Sequence, residues 1–309
     1  MAAFFKNVLK NKVMLFMVLP GAIWFFFFSY LPLVGTVAAF KQYRFSREGF
    51  WASLAKSEWV GWDNFKFLFM TDDAFTITRN TLLYNLAFIF IGLVLSVAMA
   101  IILSELAGKV MAKVYQTGMF LPYFLSWVIV GYFAFSFLSM DRGMLNQILG
   151  WFGAEPINWY SEAKYWPYIL VFVNLWKMVG YNSVVYLASI MGIDKSLYEA
   201  AMIDGASKWQ QVRNITIPLL SPIIIIMTLL AVGKIFYADF GLFYQVPRDS
   251  GTLYAVTNVI DTYVYRGLKT TGEIGMSTAA GLYQSVVGFV LVLVSNFIVR
   301  KIDKDSALF

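Results

Sequence analysis

One polar segment carries two capping patterns. Ser196 and Glu199 have S-x-x-E spacing, and Ser207 and Gln210 have S-x-x-Q spacing. In such a box the hydroxyl accepts from an N–H three residues on, while the Glu or Gln reaches back to the cap. The first box predicts a helix starting near Leu197 and carried by Ala200, Ala201 and Met202. Gly205 should end it, where a left-handed residue is cheap, and a second helix should run through Trp209 and Val212. Pro218 stands at the entry to an apolar run, and Pro222 should bend that run's first turns. Two short helices with a glycine corner are more structure than a connector needs. They suit an element that fills a groove on a soluble partner and passes force on as a rigid lever. Glu199 alone reads as a helix cap, but capping does not account for the whole pattern.

A second set of residues lies inside apolar runs, where polar groups are costly and mark pathways. Asn174, Lys177 and Tyr181 fall at i, i+3 and i+7 on one helical face, flanked by Trp176 and Asn182. Lys234, Tyr237 and Asp239 cluster near the end of a later run, and Gln284 lies in the last one. Amides, aromatics and a few charges suit a sugar, which takes hydrogen bonds at its edges and stacking on its faces. The competing reading is hydrogen bonding between helices, or snorkelling to the interface. Lys177 also suits pairing with an acid on a partner subunit.

The sequence has no Cys and no His. Disulfides, thiolate nucleophiles, imidazole bases and His-based metal sites are therefore excluded. No G-x-x-x-x-G-K-[ST] loop occurs, so the chain is not expected to bind ATP. An integral-membrane enzyme would need a catalytic constellation, and none stands out. A stand-alone secondary transporter should show an internal repeat with matching broken helices, and none is evident.

These residues must be positioned by membrane-spanning helices. Of 309 residues, 60% are hydrophobic and 14% charged, with mean hydropathy +0.67. A soluble fold of this size could not hide so much apolar surface. Six runs are long enough to cross at about 1.5 Å per residue: 13–40, 80–104, 115–138, 167–191, 218–238 and 277–299. With the N-terminus inside, the inside segments 1–12, 105–114, 192–217 and 300–309 hold 11 Lys and Arg in 58 residues. The outside segments 41–79, 139–166 and 239–276 hold 11 in 105, and 12 of the 18 acidic residues. That asymmetry places both termini in the cytoplasm and accounts for the net charge of +6 without nucleic acid. Lys6, Lys10 and Lys12 imitate a signal peptide, but the run behind them is too long and carries Pro20 and Pro32. Six of the ten tryptophans (Trp51, Trp59, Trp62, Trp151, Trp159 and Trp166) lie outside or at that interface, as an aromatic belt or a sugar-stacking surface.

Glu199-Ala200-Ala201, Asp204-Gly205-Ala206, Ile215 and Ile217-Pro218 together resemble the EAA loop of binding-protein-dependent (type I) ABC importer permeases. Val212, where an aromatic is common, and Ile217, in place of Leu, depart mildly from the pattern. Leu19-Pro20-Gly21, Tyr30-Leu31-Pro32, Gly61-Trp62-Asp63-Asn64-Phe65, Phe120-Leu121-Pro122, Ser126-Trp127-Val128 and Leu197-Tyr198 are similar to a sugar-transport subgroup. That subgroup is labelled for lipoprotein, aldouronate or multiple-sugar transport.

The resemblance implies an all-α, six-span permease domain over 1–309, with a core at about 76–300, an extra first span at 13–40 and a coupling loop at 192–217. Ser196, Tyr198, Glu199, Ala200, Ala201, Asp204, Gly205, Ala206 and Ser207 would then meet an ATPase. The implied partners are a second, homologous permease, two ATP-binding subunits that hold ATP and Mg, and an extracellular, lipid-anchored solute-binding protein. The implied place is a bacterial plasma membrane. The implied cargo is an oligosaccharide, with peptide or another organic solute as the alternative.

Overall fold

The computed structural model describes residues 12–106 and 109–302. Lys6 and Lys10 lie outside the described residues. The chain divides into two compact units: Met1–Thr71 with Arg266–Tyr283, and Asp72–Tyr265 with Gln284–Phe309.

In the first unit, α1 (Lys12–Phe25) passes through a π-turn (Phe26–Tyr30) into a 3₁₀ stretch (Leu31–Phe40). The π-turn ends two residues before Pro32. A proline has no N–H and crowds the carbonyl four residues back, so the preceding turn widens. Beyond it, β1 (Lys41–Gln42) pairs antiparallel with β2 (Glu58–Trp59) around α2 (Phe50–Lys56). Asn64 of the Gly61–Phe65 motif explains its place there. Its amide donates to the Ala39 and Lys41 carbonyls, each at 2.9 Å, and so ties off the end of the first span. Phe40 stacks on Trp59 and meets Trp62 and Phe65 edge-on or tilted.

The second unit is built on α3 (Asp72–Ser104) packed along α7 (Trp166–Met191). Ala100, Leu103, Tyr186, Leu187, Ile190 and Leu220 form a core at one end. At the other end Trp166, Leu170, Leu242, Val246 and Leu253 are buried together. The run expected as one span at 115–138 is two helices, α4 (Lys109–Phe124) and α5 (Trp127–Leu138), bent by 97°. Pro122 weakens the last turn of α4, and Ser126 caps α5 by accepting from the Ile129 N–H at 3.3 Å. The short α6 (Met144–Trp151) follows before α7.

After α7 come α8 (Lys195–Ile203), α9 (Lys208–Gln211), a π-turn (Val212–Thr216) and α10 (Ile217–Val232). Lys208–Val232 form one 25-residue candidate span. The second helix expected before Pro218 is therefore the start of the fifth span. The π-turn again ends two residues before a proline, here Pro218. Between the fifth and the last span lie α11 (Phe240–Gln245), α12 (Tyr254–Thr257) and α13 (Ile260–Thr271), and α14 (Ile274–Ile302) is the last span. By length and composition the described residues hold five spanning helices, or six with the bent pair counted as one.

Candidate functional site

The 192–217 segment folds into a capped, exposed knob. Asp194, not Ser196, caps α8, its Oδ1 accepting from the Ser196 N–H at 3.0 Å, so the helix begins at Lys195 rather than near Leu197. The Ser196–Glu199 capping box does not form. Hydrogen bonds from the Ser196 backbone and side chain hold the Asp194 carboxyl below its usual range. The aspartate stands two residues nearer the preceding apolar run than the cap of a Ser196 box, and its short side chain serves an N–H one turn earlier.

Gly205 ends α8 at φ 80°, with the Ala206 N–H closing back onto the Ala201 carbonyl at 2.8 Å. Ser207 and Gln210 then form both halves of their box. Glu199 is exposed, and no described residue partners it. Ile203, 87% exposed, and Trp209, 69% exposed, flank the glycine corner. Two side-chain links tie this knob to the spans. The Tyr198 hydroxyl lies 3.0 Å from the Thr216 hydroxyl, and Lys208 pairs with Glu105 at 2.8 Å just past the end of α3.

Higher in the same unit, α3, α7 and α10 enclose a half-open groove of about 320 Å³. Asn174, Asn182, Tyr237 and Asp239 line it, as do Asn85, Ser96 and Thr228, which were not among the expected pathway residues. The signal was available, because each is a polar residue in an apolar run. The Ser96 hydroxyl is buried with no hydrogen-bond partner among the described residues, and the Asn174 and Asn182 amides have none either.

The remaining expected pathway residues lie elsewhere. Lys177, 5% exposed, turns to the break between α4 and α5 and donates to the Pro122, Tyr123 and Leu125 carbonyls at 3.2, 2.7 and 2.5 Å. Those are carbonyls that a helix end leaves without partners. Tyr181 stacks on Tyr123 at 4.1 Å between centroids. The face shared by Asn174, Lys177 and Tyr181 is thus divided, with the amide toward the groove and the other two toward the break. Trp176 faces an apolar cleft with Phe133 and Phe172. Lys234 is exposed outside the groove. Gln284 is buried, its amide donating to the Phe236 carbonyl at 2.7 Å and to Asp261 at 3.2 Å. Asp239 joins the two regions. It accepts from the Trp127 indole at 2.8 Å and caps α11 through the Gly241 and Leu242 N–H groups.

A family profile described as "Binding-protein-dependent transport system inner membrane component" matches residues 92–304. The chain belongs to this family. It is a multi-pass membrane protein and a permease subunit of a transport system served by a binding protein. The permease is 33% identical to Protein LplB of Bacillus subtilis (strain 168) over 96% of this chain and 91% of that one. It is 31% identical to the polygalacturonan/rhamnogalacturonan transport system permease protein YteP of the same strain, over 97% and 91%. It is also similar, at TM-score 0.85 and 32% identity, to a crystal structure of a bacterial ABC transporter involved in the import of the acidic polysaccharide alginate. That match covers 97% of the permease and 99% of the other chain. A related structure of 0.85 TM-score holds the alginate transporter with its periplasmic protein bound to an alginate pentasaccharide.

Proposed function

We propose that this permease forms half of the path of an ATP-driven importer and passes an oligosaccharide handed over by an extracellular solute-binding protein. The observation that carries the coupling half of this reading is the α8 knob. It is capped at both ends, exposes Glu199 and Ile203, and is tied through Tyr198 to the base of the fifth span. A short helix held this way moves as one piece, so displacement by an ATPase would be transmitted along 208–232 toward Tyr237 and Asp239. ATP would bring two separate ATPase subunits together, with Mg held there, and shift the spans between outward- and inward-open populations.

The second part of the reading is cargo. The groove's free amides and hydroxyl offer hydrogen bonds of the kind a sugar consumes, and relatives that carry acidic polysaccharides support it. A half-open groove fits a path completed by a second, homologous permease. In this arrangement the termini and the 192–217 knob are cytoplasmic, residues 239–276 are outside, and the core of about 76–300 does the transport.

Gly205→Pro tests the coupling. Proline holds φ near −65°, far from the 80° of Gly205, so the corner cannot form. Reconstituted complexes carrying it should assemble yet lose ATP-coupled sugar uptake. Retained uptake would refute the docking role of the knob. Wild-type uptake of peptides in place of sugars would keep the permease reading and remove the carbohydrate.

A further inference from the structure

After α11 the chain turns through two consecutive residues in the left-handed region, Arg248 at φ 57° and Asp249 at φ 49°. Non-glycine residues adopt that conformation at a cost, and such costs concentrate at functional sites. The turn lays the Arg248 guanidinium over the face of Phe135 on α5, 4.1 Å from its centroid. A groove of about 240 Å³ opens beside it, lined by Tyr132, Phe135, Tyr244, Gln245, Arg248 and Asp249. Its floor is Gly131, where a Cβ would meet the Gln245 carbonyl oxygen at 2.7 Å. Glycine there lets α5 and α11 close on each other and leaves the side chains to form the walls.

Apart from Asp249, the polar side chains of this groove are unspent. Among the described residues, the Arg248 guanidinium has no carboxylate or carbonyl partner. The Gln245 amide and the Tyr132 and Tyr244 hydroxyls have no hydrogen-bond partner either. Asp249, the carboxylate on the rim, accepts from the Tyr254 hydroxyl at 3.2 Å instead. Nearby Tyr160 donates to the Val246 carbonyl at 3.2 Å, and burial pushes its pKa up to about 12, so it stays neutral and adds no negative charge beside the guanidinium. Lys177, the other cation near these helices, spends its donors on carbonyls.

We propose that this groove is a mouth subsite for the carboxylate-bearing ring of an acidic oligosaccharide, a hexuronate. It rests on the carbohydrate-permease reading and names the class of sugar. The Arg248 fork matches a carboxylate with two parallel hydrogen bonds. Phe135 backs the guanidinium, Tyr132 presents its ring to the sugar, and Gln245 and Tyr244 reach its hydroxyls. A neutral sugar would leave the guanidinium unmatched. A phosphate ester carries close to two negative charges, and the rim supplies one cation beside the Asp249 carboxylate.

The test is uptake by the complete transporter in proteoliposomes, with labelled trigalacturonate and neutral xylotriose compared for wild type, Arg248→Gln and Arg248→Lys. The expected result is a roughly tenfold loss of trigalacturonate uptake in Arg248→Gln, expressed in KM. Xylotriose uptake and binding-protein-stimulated ATPase activity should stay within about twofold, and Arg248→Lys should recover part of the loss. Equal losses for both sugars overturn the subsite. With ATPase stimulation also lost, they give the guanidinium to an acidic side chain of the binding protein. Unchanged trigalacturonate uptake, or a wild type that carries xylotriose alone, overturns it as well. A wild type that carries neither sugar yet transports another solute overturns the carbohydrate reading beneath it.

Discussion

Replacing Lys177 by Met keeps the unbranched stem and removes the ammonium that holds the broken third span. Three carbonyls lose a donor, from Pro122, Tyr123 and Leu125. The Pro122 oxygen retains the Leu125 N–H at 3.2 Å, so two of the three are left unpaired. At about 1–3 kcal/mol for each buried acceptor left unpaired, the loss is about 2–6 kcal/mol. The cation also sits 5.6 Å from the Tyr123 ring and 5.2 Å from the Trp127 ring, and both contacts go with it. A cation at the C-terminal end of α4 complements that helix's dipole, which adds in the same direction. For about 4 kcal/mol and roughly 2 °C per kcal/mol in a large domain, the apparent Tm in detergent should fall by about 8 °C. The assay is thermal unfolding of the purified complex, followed by tryptophan fluorescence, because Trp127 packs against the break. Uptake should fall with stability, as the bend loosens and Trp127 is no longer fixed against Asp239. An unchanged Tm with lost uptake would refute this reasoning and return Lys177 to the cargo path.

Two further outcomes follow from the groove and from the loop before the last span. Asn174→Leu with Asn182→Leu should lower sugar uptake several-fold while leaving binding-protein-stimulated ATPase activity intact, since neither amide supports another described residue. Unaltered uptake in proteoliposomes would remove the groove from the path. Burial raises the Asp261 carboxyl above its usual 3.8, outweighing hydrogen bonds from the Ala238 N–H and Gln284. A raised folded-state value means this group's contribution to stability is fully present below pH 3.8 and is lost as pH rises through the folded value. Asp261→Asn should therefore flatten the decline in Tm from acid toward neutral pH, and an identical pH profile in both proteins would contradict it.

The organisation of the chain was legible because membrane crossing is a one-dimensional constraint. A run of apolar residues must be long enough to cross, and the charges between runs set its direction. The expected runs at 13–40, 167–191 and 277–299 coincide closely with helices, and the 80–104 run is the greater part of α3. The glycine corner was equally local. Gly205 takes the left-handed conformation and Ser207 with Gln210 closes its box, because both depend on residues within three or four positions. The first cap was misplaced by two residues because Asp194 and Ser196 are both competent caps two positions apart, and spacing alone does not rank them.

What the tertiary structure decided is where polar side chains in the spans point. Helical periodicity put Asn174, Lys177 and Tyr181 on one face, which three neighbouring helices then divide. Lys177 is drawn to bare carbonyls at a helix break, and that break is itself a product of Pro122 and the Ser126 cap acting together. Asn85 and Ser96 join Asn174 and Asn182 only because α3 packs along α7. Arg248 meets Phe135, over a hundred positions earlier, only through the close approach of Gly131 to Gln245. A sequence sets the period of each helix. The azimuth at which two helices meet is set by packing, and packing turns a polar residue into a groove wall or a strut.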